Sequence, residues 1–381
     1  MLKSMRQEGA FTNPDVEAAF SAVPRHLFLP DIALEEVYSD KAIPLKKDSG
    51  GLLTSSSSQP AMMAIMLDQM GLESGENVLE IGTASGYNAA IMQYIVGNSG
   101  SVTTIEIDND LARQAQRHLQ NAHASRVTVV NADGAQGYAP RAAYDHIVST
   151  VGVWDIPSSW FNQLKPRGDV VAPIVIDGIQ VSAKFSPQSD GTFLSKSNRP
   201  CAFVYMLGQN AGPDFRRQVG TGPMYILADR VDRIDTIALS VLLSNDHEYC
   251  QFDKGLDPGD YWFGYQIYLM LNASPDYIFF VYAVLDGQKT YDIEGRGIGL
   301  FARSSAGLAG YAEKGLVHCF AGSDAFLEMQ NMLDRWVALG EPTIEHLRLK
   351  LIPKAQGKPE IERGKLYERH EHYLHAWFEV E

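Results

Sequence analysis

Residues 77–106 read NVLEIGTASGYNAAIMQYIVGNSGSVTTIE, and this stretch decides the fold. Val78, Leu79 and Ile81 make a short apolar strand that runs into Gly82. The segment SGYNAAIMQYIVG then has helical character, and SVTTIE returns to a β-branched strand. A strand, a glycine loop and a helix leading to a second strand form the βαβ unit of a parallel sheet. Gly82 and Gly86 let a ligand approach the backbone, and the helix N-terminus offers free N–H groups. Alone, such a loop also fits a tight turn that binds nothing, or a dinucleotide site.

The same rhythm continues outward. LARQAQRHLQNA reads as a helix, RVTVVNAD as a strand and YDHIVSTVG as another, and DVVAPIVI follows the turn KPRG. The expected fold is α/β, a doubly wound, mostly parallel sheet. Upstream, Asn13–Pro14 starts a helix that Pro24 ends, and residues 59–70 form a second helix with proline in its first turn. Residues 38–58, with Pro44, Gly50, Gly51 and a serine run, are expected to be loop. After residue 186 loops dominate and then mixed elements follow. These are a helix at 231–244, two apolar strands within 261–285, glycine-rich strands at 296–320 and an amphipathic helix at 324–339. Ser323 caps that helix and Gly340 stops it. Strands at 347–352 and 376–380 finish the chain. The division expected is 1–209 for the α/β domain and 210–381 for an α+β C-terminal domain.

Three acids end the first three strands of the sheet. Glu80 precedes the glycine loop. Glu106, followed by Ile107, suits the two ribose hydroxyls of a nucleoside. Asp133, followed by Gly134, suits an adenine amino group. Three carboxylates would repel a pyrophosphate, whereas S-adenosylmethionine carries a sulfonium and an ammonium. The charge pattern favours the methyl donor over a dinucleotide.

With these motifs in place, residues 13 to about 180 resemble the protein-L-isoaspartate (D-aspartate) O-methyltransferase family. The resemblance rests on Val23-Pro24-Arg25 with Phe28-Leu29-Pro30, on Ser58-Gln59-Pro60 with Met62, and on the loop Val78 to Tyr87. Asp133-Gly134-Ala135-Gln136-Gly137 and Leu164-Lys165-Pro166-Arg167-Gly168 complete it. It implies a Rossmann-like class I methyltransferase that uses S-adenosyl-L-methionine. Glu80, Gly82, Thr83, Ala84, Gly86, Glu106, Ile107, Asp133 and Gly134 would then bind the cofactor. Ser57, Gln59 and Pro60 would bind substrate, and Ser58 would position the acceptor oxygen. Thr150, at the end of the fourth strand, lies where such folds place substrate. The chain departs from the family at Ala84, where glycine is usual and where alanine is expected to hold a negative φ. It departs again at His26 and at the serine before Ser58. Roughly the last 170 residues lie outside the resemblance. Enlarged forms resemble enzymes that tailor ribosomally made peptides of the lanthipeptide, lasso and graspetide types.

Composition narrows the partners. Net charge is −14, both halves are acidic and no basic stripe exists, which argues against nucleic acid and an anionic membrane surface. Cys201, Cys250 and Cys319 are sparse and odd in number, as expected of a reducing compartment. With no apolar N-terminal run, a cytoplasmic location is expected. His370, His372 and His375 are expected in an exposed polar stretch rather than at a metal. Trp154 and Trp160 could shape a peptide groove or simply pack. The expected activity is methylation of an aspartyl or isoaspartyl carboxylate on a peptide or protein, the ester closing to a succinimide. The substrate would be a ribosomally made peptide or, alternatively, damaged protein in general. A cofactor-binding scaffold without catalysis is the alternative of another class.

Overall fold

The computed structural model describes residues 1–229, 231–302 and 304–380. A hairpin, β1 (Ile43–Lys47) and β2 (Leu53–Ser57), precedes the main sheet. Then come β3 (Asn77–Ile81), β4 (Ser101–Glu106), β5 (Thr128–Asn131), β6 (Tyr144–Ser149), β7 (Leu164–Ile176), β8 (Ile179–Pro187) and β9 (Phe193–Cys201). Strands β3 to β7 pair in parallel, in the order β5-β4-β3-β6-β7, and β8 and β9 add antiparallel strands. Strand order reverses between β3 and β6, the crevice at which doubly wound sheets bind ligands. The α/β expectation holds.

The hairpin corrects the expectation of a loop over 38–58. Its strands are short, with a proline and two lysines in β1 and a serine run in β2, so they lack the apolar alternation that marks a strand. The turn makes it: Asp48 Oδ1 accepts from Gly50 N at 2.9 Å and Leu52 N at 2.8 Å, and Gly51 sits at φ 81°.

A second sheet holds β10 (Arg216–Gln218), β11 (Met224–Leu227), β12 (His247–Gln251) and β13 (Ile278–Val284). The two-residue strands β14 (Lys289–Thr290) and β15 (Ile293–Glu294) form a separate hairpin. Strands β16 (Arg296–Phe301), β17 (Ala306–Gly310) and β18 (Leu316–Phe320) complete the second sheet, in the order β10-β11-β13-β16-β17-β18-β12. The first apolar piece of 261–285 is helical, not a strand: Pro258–Asp260, a π-helical turn Tyr261–Tyr265 and Gln266–Asn272 run on continuously. Asp257 caps this run and Pro258 opens it. Residues 265–271 are buried, and a helix buried all round shows no periodicity to separate it from a strand. The amphipathic helix spans Asp324–Ala338; Ser323 precedes it without a side-chain cap bond.

The chain then returns to the first sheet. Strands β19 (Leu347–Pro353), β20 (Lys365–Glu368) and β21 (His372–Phe378) join it at β9, completing ten strands. Within the expected unit 210–381, strands of 347–378 pair with the α/β sheet rather than with the second sheet. Buried polar pairs fix this return. Asp155 Oδ1 lies 3.0 Å from His372 Nδ1, so the histidine stretch is not all exposed: His372 sits in the core. Trp160 is buried and donates to Gly134 O at 2.8 Å, which makes it a brace. Among the described residues no cluster of His, Cys, Asp and Glu is arranged to hold a metal ion. No helix among them is long and apolar enough to cross a membrane.

Candidate active site

A cavity of about 300 Å³ opens at the reversal point, walled by the loop 80–85, by 105–108, by 54–58 of the hairpin and by 204–207. Gly82 holds φ 99°, and a Cβ there would lie 2.6 Å from Thr150 Oγ1. Glycine is thus required by close approach of the β6 end as well as by its backbone angle. The Thr150 hydroxyl donates to Gly82 O at 2.7 Å and also reaches Ile81 O at 3.1 Å. Ala84 has φ 48°, opposite in sign to the expectation. The left-handed conformation costs alanine about 1 kcal/mol, and its N–H is held there by Glu106 Oε2 at 2.9 Å.

The acids sit as their strands place them. Glu80 is fully buried; Asn88 Nδ2 donates to Oε1 at 2.8 Å and Thr104 Oγ1 to Oε2 at 2.6 Å. Thr83 Oγ1 lies 2.7 Å from Thr104 Oγ1 and extends that chain. Burial pushes the Glu80 carboxyl up to about 7, against the opposing pull of Thr104 and Asn88. Burial also raises Glu106, whose Oε1 accepts from Asp108 N at 3.0 Å. Each Glu106 oxygen thus takes one main-chain donor and keeps lone pairs for a diol. Ile107 presents an exposed apolar side chain to the cavity. These acids fit a cationic nucleoside: a sulfonium and an ammonium would restore the ionised form that burial disfavours.

Asp133 stands apart. Its Oδ1 accepts from Ala135 N at 2.9 Å and its Oδ2 from Gln209 N at 2.7 Å, and only its neighbour Gly134 reaches the cavity wall. Asp133 ties the 204–210 segment to the sheet. Gln59 and Pro60 also lie outside the cavity lining. Gln59 Nε2 donates to Asp40 Oδ2 at 2.7 Å, and Ala61 N to Asp40 Oδ1 at 2.8 Å, so this pair anchors the start of helix Pro60–Met70. Ser57 and Ser58 do line the cavity. Ser57 is buried and accepts from Ser85 Oγ at 3.4 Å. The Ser58 hydroxyl makes no hydrogen bond among the described residues, and only its carbonyl is held, by Arg25 Nη2 at 3.0 Å.

Sequence reasoning missed three contributors. Lys46 of β1 pairs with Asp108, drawing that carboxyl below its usual range and latching the hairpin onto the β4 end. Nothing in the order of residues announces that contact. Arg25 of the Val-Pro-Arg motif organises the 37–41 segment as well as Ser58. Val204 to Leu207 come from a loop far along the chain, bridged to Gly152 through Met206 N at 2.9 Å. Trp154 is outside the lining and donates to Asp229 at 3.2 Å.

The model of a family described as protein-L-isoaspartate(D-aspartate) O-methyltransferase matches residues 1–211. A protein-L-isoaspartate O-methyltransferase of Hyperthermus butylicus is 36% identical over 217 residues, covering 55% of this chain and 88% of that one. One of Pyrococcus horikoshii is 34% identical over 210 residues, covering 55% and 92%. A solved structure described as protein-L-isoaspartate O-methyltransferase aligns with TM-score 0.52 at 23% identity. It covers 92% of this chain and 94% of that chain, so the fold is shared beyond the stretch matched in sequence. The fold is that of a class I methyltransferase with an added C-terminal region, and the cofactor is S-adenosylmethionine. The chain belongs to the protein-L-isoaspartate (D-aspartate) O-methyltransferase family.

Proposed function

We propose that this cavity methylates the free carboxylate of an isoaspartyl residue in a peptide segment. The observation that carries the reading is the uncommitted Ser58 hydroxyl in a cavity that Glu80 and Glu106 also line. S-adenosylmethionine supplies an electrophilic methyl group. Glu80, Glu106 and the Gly82–Gly86 loop hold its cationic and ribose parts, with Thr83, Ala84, Ile107 and Gly134 completing the wall. The acceptor carboxylate is already ionised near neutral pH, so no general base is needed. Ser58 donates to one carboxylate oxygen and fixes the line of attack of the other; Ser57 packs behind it. Thr150 spends its proton on the loop carbonyls, which makes it a positioning residue for Gly82 rather than a donor to substrate. The Lys46–Asp108 pair holds the hairpin against the β4 end and so fixes that wall of the cavity. The C–O bond forms as the S–C bond breaks, and the sulfonium charge is neutralised with no proton moved. The resulting ester is a better electrophile than the acid; the next main-chain nitrogen attacks it, releases methanol and leaves a succinimide.

A second reading is dedicated conversion of an aspartate in a ribosomally made peptide. The serine before Ser58, a small polar residue in the cavity lining where the family usually has an aliphatic, favours it by altering the acceptor wall. Chain length does not decide, because the solved relative described as an isoaspartate methyltransferase is of comparable extent. Two matched peptides, one aspartyl and one isoaspartyl, incubated with S-adenosylmethionine and followed by mass, separate the readings. A gain of one methyl on the isoaspartyl peptide, weakened in Ser58→Ala by about tenfold or more in kcat, supports the first. Loss of water from the aspartyl peptide alone replaces it with the second. Methylation of neither, with cofactor bound, refutes methylation of general peptides.

A further inference from the structure

A second and larger cleft, about 610 Å³, runs between the two sheets and adjoins the methylation cavity. Residues 200–203 wall the cleft, 204–207 wall the cavity, and Tyr205 faces both. An extended peptide crossing Tyr205 would therefore occupy both at once. The cleft offers apolar surface that water does not favour: Phe263 is 39% exposed and Leu285 is 48% exposed. Its charge opposes that of the molecule. Arg216 and Arg296 line it against one acid, Asp286, in a chain of net charge −14. Neither arginine makes an ion pair among the described residues, and Arg216 is held over the Tyr225 ring at 4.8 Å. The wall also carries an unmet need. Gln266 is 1% exposed, and its Oε1 has no hydrogen-bond partner. A buried carbonyl oxygen without a donor is costly, and the N–H of an extended peptide supplies the donor it lacks.

We propose that this interdomain cleft binds the segment of substrate that flanks the methyl-accepting residue. It selects peptides bearing a large apolar side chain and a carboxylate a few residues from that site. The proposal rests on the peptide methylation reading above and names the substrate class for it. The apolar side chain enters between Phe263 and Leu285, the carboxylate meets Arg216 and Arg296, and a main-chain N–H meets Gln266.

Binding is tested without chemistry. A fluorescein-labelled peptide carries alanine at the acceptor position, with leucine and aspartate placed on one side or the other. It is compared by anisotropy with a peptide whose flanks are alanine. The flanked peptide should bind about tenfold tighter, the size of one charge-assisted contact. The double variant Arg216→Ala with Arg296→Ala, both at exposed positions, should abolish that preference while melting at the wild-type temperature. Equal binding of the two peptides overturns the proposal, as does a preference that survives in the double variant. Concentration-dependent dimerisation that blocks peptide binding overturns it too, by giving the cleft to a second copy. Isoaspartyl forms of the same peptides then separate this inference from the reaction. A binding preference without methylation of any peptide sinks the reaction alone. Methylation indifferent to the flanks sinks the cleft alone.

Discussion

Arg25 Nη2 donates to the main-chain oxygen of Ser58 at 3.0 Å, joining the Val-Pro-Arg motif to the acceptor wall. The same guanidinium donates to Val37 O at 2.9 Å, Ser39 O at 3.1 Å and Lys41 O at 3.2 Å, and the residue is fully buried. Segments of chain that would otherwise be independent loops converge on one cation. One motif thereby positions the other.

Arg25→Met keeps the bulk and removes the donors. Carbonyls left without partners cost about 1–3 kcal/mol each, so a loss of at least about 3 kcal/mol of stability is expected. Below the melting point, kcat for methyl transfer should fall at least about tenfold, with a much smaller change in cofactor affinity. Calorimetric titration with S-adenosylmethionine checks the second half. If cofactor affinity falls as steeply as turnover, Arg25 shapes the whole cavity and its specific link to Ser58 is wrong.

Glu80 makes stability depend on pH in an unusual direction. Its folded carboxyl is raised by burial from an ordinary 4.5 to about 7. Between those values the folded state binds more protons than the unfolded one, so stability falls as pH rises through that window. The full effect is about 3 kcal/mol. Glu106 is raised for the same reason and acts in the same sense. A bound cation reverses the preference, so S-adenosylmethionine affinity should rise with pH over the same range. Melting of wild type and Glu80→Gln, from about pH 5 to about pH 8, isolates the residue. Without cofactor the variant should gain on wild type as pH rises, and with cofactor it should lose. A variant no more stable than wild type at the alkaline end contradicts the account.

The parts of the site that were legible are those held by consecutive residues. Glu80, Gly82 and Gly86 sit within one strand–loop–helix unit, and Glu106 ends the very next strand, so local pattern determines their geometry. Asp133 shows the limit of that reasoning. Its strand end is where it was expected, yet it lies outside the cavity lining, tied to Gln209 N by tertiary packing. Ala84 shows another limit: its φ is positive rather than negative, and the hydrogen bond from its N–H to Glu106 holds the loop there. The Lys46–Asp108 latch, the 204–207 wall and the helical identity of 261–272 depend on contacts distant in sequence or on burial on all sides. Neither leaves a periodic trace.

The return of the chain to its first sheet supplies the remaining prediction. Arg369, fully buried on the β20–β21 turn, donates to Asp229 Oδ1 at 2.7 Å and to Val175 O at 3.1 Å, with its guanidinium 5.0 Å from the Trp154 ring. Burial raises the Asp229 carboxyl, and Arg369 opposes that rise. Arg369→Ala leaves the acid buried and unpaired, a loss of about 3–5 kcal/mol. The unpaired carboxyl would then take up a proton more readily in the folded state, so the deficit should shrink as pH falls and widen as it rises. Denaturant midpoints measured at two pH values test both size and sign. Ending the chain at residue 346 is the harsher version. It removes β19, β20 and β21 and bares the edge of β9, so the shortened chain should fail to fold or aggregate. A truncated chain that stays monomeric and binds S-adenosylmethionine as tightly as the full chain would show that these strands decorate the methyltransferase sheet rather than complete it.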